Sequence, residues 1–133
     1  MIKNIKKTVI AGALALAMVG TAVPVTTDAA SKSGTYTSVS LNKVSSGATT
    51  FTATAKGTNK TAAAKYIYVY VKKGGSSAYA GTTVSSNSGV TNAGNYKATS
   101  ASHCSTSNKY WGLSVIHKGN SNTTPTLESV GTN

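Results

Sequence analysis

The chain has 133 residues, with 13 lysines, no arginine and two carboxylate side chains, for a formal net charge of +11. Two carboxylates are too few for a calcium cage, and a single Cys supports neither an internal disulfide framework nor a thiolate zinc site. No Walker-type or dinucleotide-binding glycine motif is present, so no cofactor is expected.

Lys3, Lys6 and Lys7 open the chain. An uncharged run of Ala, Val, Leu and Gly follows from Thr8 to Val23, and then Pro24 and the small-residue exit Thr27-Asp28-Ala29-Ala30. This order of basic start, apolar run and small-residue exit is that of a secretory signal peptide. The expected division is a signal peptide at 1–29 and one secreted, extracellular domain at 30–133, cut after Ala29 because Thr27 then stands at −3. A retained anchor is the alternative, since Thr8–Thr27 is 20 uncharged residues and just long enough to span a bilayer.

Beyond that point 35 of 104 residues are Ser or Thr. The large apolar residues fall in strand phase, and no helical stripe exists. The predicted strands begin with Tyr36–Val44, where Val39 and Leu41 alternate with polar residues. Thr50–Lys56 follows, with Phe51, Ala53 and Ala55 inward, and a turn is expected at 57–60. Ala64–Lys73 is the strongest strand, ended by Gly74-Gly75. A weaker strand at Ala78–Ser85 precedes a loop at 87–94. Tyr96–Ser102 comes next, then Lys109–Lys118, with Trp111, Leu113, Val115 and His117 sharing one face. Pro125 confines the last segment, Thr126–Val130, to an edge. The fold class is therefore all-β: a small antiparallel β-sandwich of six to seven short strands after the signal peptide.

Two features carry functional expectations. Alternation puts Tyr66, Tyr68 and Tyr70 on one face of their strand, about 6.6 Å apart, with Ile67, Val69 and Val71 on the other. The Tyr face either fills a sheet or forms an aromatic platform for sugar rings or lipid headgroups. Lys72 and Lys73 end that strand, and ten lysines spread along residues 30–133 against Glu128 alone. Diffuse lysine fits an anionic envelope surface: wall polymers, lipid-linked wall precursors or a membrane. Without Arg it fits nucleic acid poorly. The reactive candidates are His103, Cys104 and His117. Adjacent strand residues point to opposite faces, so His103 and Cys104 are not expected to cooperate. Cys104 reads first as a small buried hydrophobe, then as a link in a homodimer, and last as a thiol nucleophile paired with His117.

The stretch SASHCSTSNKYWGLSV at 100–115 resembles the central part of the lactococcin-972-type bacteriocins, small secreted β-sandwich proteins of Gram-positive bacteria. His103-Cys104-Ser105 matches their H-x-S step and Ser114-Val115 their later short run. Ala101 and Ser102 stand where that family has aromatics, and no Phe, Tyr or Trp follows Trp111. The resemblance implies a non-enzymatic antagonist acting on cell-wall precursors of related bacteria, with His103 and Ser105 as motif positions. The expected function is a secreted cationic envelope binder without catalytic activity. A structural or adhesive surface module is the alternative, and a thiol enzyme the weaker one.

Overall fold

The computed structural model describes residues 27–133. The apolar run that carries the export reading lies outside them. Eight strands follow one another: β1 (Thr27–Ser33), β2 (Thr37–Ser45), β3 (Thr50–Asn59), β4 (Tyr66–Lys73), β5 (Thr82–Val90), β6 (Tyr96–Ser105), β7 (Tyr110–His117) and β8 (Thr126–Thr132). They form two four-stranded sheets, ordered β1-β2-β3-β6 and β5-β4-β7-β8, and every pairing is antiparallel. The sheets pack face to face as a β-sandwich.

The expected class holds, and the count of six to seven strands is corrected to eight. β1 is the strand that composition hid. Its first three residues, Thr27–Ala29, belong to the small-residue exit of the export reading, yet they pair with Val44, Lys43 and Asn42 of β2. The expected cut after Ala29 therefore falls inside an edge strand. Two further boundaries move. The turn expected at 57–60 is strand to Asn59, and the loop expected at 87–94 is strand to Val90. The segment from Ala78 to Gly81, read as strand, is a turn.

Gly57 explains the first shift. A Cβ there would come within 2.6 Å of both Ser114 Oγ and Val69 Cγ2. The glycine permits close approach of the two sheets and is not a turn residue. Gly74 and Gly75, in contrast, do make the expected turn, with φ of 69° and 74°.

The core is one layer of alternating side chains. Val39 and Leu41 of β2 and Phe51, Ala53 and Ala55 of β3 face Ile67, Val69 and Val71 of β4 and Ile116 of β7. Phe51 meets Tyr110 edge to face, with ring centroids 5.1 Å apart. Polar groups inside this layer are satisfied. Ser114 Oγ donates to Thr37 Oγ1 at 2.9 Å, and Thr37 Oγ1 donates to Thr58 O at 2.7 Å. β8 lies at an edge and starts directly after Pro125, as a residue without an N–H requires.

Candidate functional site

The outer face of the β5-β4-β7-β8 sheet carries the tyrosines. Ile67, Val69 and Val71 are fully buried, so the strand's alternation turns Tyr66, Tyr68 and Tyr70 outward, where each is half-buried. Their cross-strand partners on β7 are His117, Val115 and Leu113. On β5 they are Val90, Ser88 and Ser86. Trp111, Leu113, Val115 and His117 share one face, as expected, and it is this one. The β4–β5 turn covers one end of the face. Ala78 is buried there against Gly131, Tyr79 Oη donates to Ser129 O at 3.0 Å, and Trp111 Nε1 donates to Gly74 O at 2.9 Å.

The rings do not lie open side by side. Tyr68 and Tyr70 are stacked, with centroids 4.7 Å apart and planes 4° from parallel. Two parallel rings that close must overlap face to face, so each has turned a face to the other. Tyr66 tilts against Tyr68 at 6.3 Å and also meets the His117 ring at 6.2 Å. Lys72 Nζ sits 5.4 Å from the Tyr70 centroid and donates to Thr83 Oγ1 at 3.1 Å. The series is thus a self-stacked row that presents rims and phenol hydroxyls to solvent. It is not a flat platform for sugar rings. Tyr66 Oη donates to Ser88 Oγ at 3.0 Å. Burial, reinforced by the neighbouring Tyr68 and Tyr66 phenols, raises the Tyr70 pKa above its usual value. Its hydroxyl therefore stays a neutral donor.

The remaining candidates lie elsewhere. Lys73 falls in the phase of Val69 and Val71 and not in that of the tyrosines, at the end of β4. His103 is exposed on β6 and adopts φ 57°, beside an irregularity where Phe51 pairs with Cys104 but Ala53 pairs with Ala101. Two β6 residues, Ser102 and His103, thus oppose Thr52 alone, which is a β-bulge. Ser105 closes β6, with its Oγ 2.8 Å from that of Ser107. Cys104 is free and only 3 % exposed, with Sγ donating to Ala101 O at 3.3 Å. The thiol packs as the expected buried hydrophobe, and bridging to a second copy would require β6 to open. His117 is not its partner: Cys104 lies by Phe51 and Tyr110, and His117 is seven residues further along β7, about 23 Å away at 3.3 Å per residue. His117 Nδ1 instead lies 3.1 Å from Thr124 O.

Among the described residues no His, Cys, Asp and Glu group could hold a metal ion, and no helix is long and apolar enough to cross a membrane. Glu128, which the sequence marked only as a lone acidic residue, ties β8 to the start of β2. Glu128 Oε1 accepts from the Thr35 N–H at 2.8 Å, and Oε2 accepts from the Tyr36 and Thr37 N–H groups at 2.7 Å each. No protein-family model, no curated protein and no solved structure matches this chain.

Proposed function

We propose that this is a secreted, cationic, non-enzymatic protein that binds the anionic bacterial cell envelope, with bacteriocin-like antagonism of related bacteria as its most specific form. The observation that carries the reading is the state of the charges. Of the ten lysines among the described residues, only Lys43 has an acidic partner, Asp28 at 3.6 Å. Glu128 is held by backbone N–H groups. Lys60 is close enough to add its charge to the stabilisation of Glu128, and the other eight lysines keep their attraction for an external polyanion. The phenol row beside Lys72 adds donors that suit sugar hydroxyls and headgroup oxygens, together with aromatic rims.

Binding of the purified chain to isolated Gram-positive walls, measured between 0.1 and 1 M salt, tests this. The Debye length falls from about 10 Å to about 3 Å over that range. Binding is expected to fall steeply, leaving a salt-resistant remainder that Tyr68→Ser removes without unfolding the protein. No binding to walls or membranes at low salt would sink the proposal. The antagonist form is read out separately, as growth inhibition of related cells by the purified protein.

A further inference from the structure

β6 is an edge strand, and β5 of the opposite sheet guards only part of its free side. Asn87 Nδ2 donates to the Ala98 carbonyl at 2.9 Å, and the Ser85 and Thr99 hydroxyls bond each other. From Ser100 to Cys104 the guard ends, and a cleft of about 400 Å³ opens between the two sheets. That equals roughly 13 water molecules at about 30 Å³ each, room for a small anion with part of whatever bears it. Its wall brings together Lys73 from β4, Ser100, Ser102 and His103 from β6, Val84 from β5 and Tyr110 from β7.

Three observations point to an oxyanion. First, donors from different strands line one cleft: the Lys73 ammonium, the His103 imidazole and the Ser102 hydroxyl, whereas Ser100 Oγ is engaged by Thr54 Oγ1 at 2.9 Å. Neither the Lys73 ammonium nor the His103 ring has a hydrogen-bond or ion-pair partner among the described residues. Second, no carboxylate lines the cleft. Third, His103 occupies a left-handed conformation that glycine adopts at no steric cost, with its side chain exposed. Bulges of this kind re-aim a side chain, and strain held at one position is a pointer to use.

We propose that this cleft is a binding site for a phosphate-class oxyanion, gripped by Lys73 and His103 with Ser102 at its rim. It lies apart from the Tyr row; its lipid-headgroup form rests on the envelope reading, and its soluble-phosphate form goes beyond it. The ligand is either a soluble phosphate compound or the phosphate of a lipid headgroup, since both offer the same tetrahedral oxygens to the same donors.

Titration of the full chain with inorganic phosphate, followed by two-dimensional NMR against sodium chloride at matched ionic strength, tests the site. The expected result is saturable shifts at Ala101–Cys104 and Lys73, with Tyr66–Tyr70 unmoved. Lys73→Gln should weaken the apparent affinity about tenfold. His103→Gly relieves the backbone and keeps the bulge, so it should raise thermal stability while weakening phosphate binding at least fivefold. A His103→Gly protein that binds phosphate like the wild type overturns the proposal. So do shifts spread evenly over all lysines, or no shift in the cleft. Phosphatidylglycerol vesicles that compete with phosphate would identify a headgroup as the source, and vesicles that do not compete would identify a soluble ligand. Loss of wall binding with the phosphate shifts intact would refute the envelope function and leave this site standing.

Discussion

Removing Glu128 should unlock one end of the sandwich. Its carboxylate joins β8 to the turn between β1 and β2 through three charge-assisted hydrogen bonds of 2.7–2.8 Å. Such bonds contribute about 1.5–3 kcal/mol each in protected settings, but solvent reaches this carboxylate and reduces the total. In Glu128→Ala the Thr35 and Tyr36 N–H groups regain water, whereas the residue of Thr37, fully buried, does not. The expected cost is about 2–3 kcal/mol, which for a domain of this size lowers Tm by about 10 °C or somewhat more. Glu128→Gln keeps one acceptor oxygen and should lose roughly half as much. Gly34→Ala perturbs the same cradle from the other side, because a Cβ there would lie 2.6 Å from both Glu128 Oε2 and Val130 Cγ2.

The acid dependence follows with a definite sign. Burial opposes ionisation of Glu128, but the N–H groups of Tyr36, Thr37 and Thr35 and the Lys60 charge outweigh it, so its pKa lies below the ordinary carboxylate value. The unfolded chain therefore takes up the proton first as pH falls. The stabilisation is complete above the ordinary carboxylate range and drains away as pH drops through it toward the native value. Thermal unfolding by circular dichroism at pH 7 and pH 3 reads this directly: the gap between wild type and Glu128→Gln should close in acid. A Glu128→Ala protein with unchanged Tm at pH 7, or a gap that persists undiminished at pH 3, would refute the reasoning.

Other outcomes are equally specific. Cys104→Ser should preserve wall binding and cost about 1–3 kcal/mol, since it puts a hydroxyl where a buried thiol stood, and native Cys104 should react with a maleimide only after denaturation; rapid native labelling would contradict its burial. Gly57→Ala should cost about 1–3 kcal/mol in chemical denaturation by forcing Val69 and Ser114 apart, and a neutral effect would mean that the sheets relax there freely. Added salt should raise Tm slightly by screening lysine repulsion while it weakens wall binding, so a parallel fall of both would point to salt acting on the fold itself.

Period-two alternation made much of the sandwich legible. TFTATA, YIYVYV and WGLSVIH place their faces correctly because burial on one side fixes strand phase. Composition misled where one residue type serves two purposes. Gly57 was read as a turn because glycine is common there, but the second sheet needs its missing Cβ. Thr27–Ala29 is both a small-residue exit and three rungs of β1. The loop-like NSGV of β5 is strand because Val69, Tyr68, Ile67 and Tyr66 on β4 supply its partners. The site was legible to the same depth. Parity put the three tyrosines on one face but left open which face is buried, and no pattern in the sequence shows that Tyr68 and Tyr70 turn their faces to each other. The bulge at Ser102-His103 shifts the phase of β6: strict alternation from Ala101 would bury His103, but Cys104 turns inward in its place and His103 is left exposed at the edge of the cleft that Lys73 also lines.

A chain one third Ser and Thr folds without a large apolar core because many of its hydroxyls bond one another or the backbone. The Ser114–Thr37–Thr58 chain crosses from β7 to β2 and on to β3 within the buried layer. Asn59 plays the same part at the next connection, donating from Nδ2 to Ala64 O and accepting the Thr61 N–H. No buried side-chain nitrogen or oxygen among the described residues lacks a partner, so these groups avoid the desolvation penalty that an unpaired polar atom would bring. The same chemistry constrains the surface. With hydroxyls closing the interior and both carboxylates engaged, by Lys43 and by the β1–β2 turn, nearly all the lysine charge has no acidic partner within the fold. A sandwich held mainly by neutral hydrogen bonds can carry that charge, because few of its contacts depend on the lysines being neutralised.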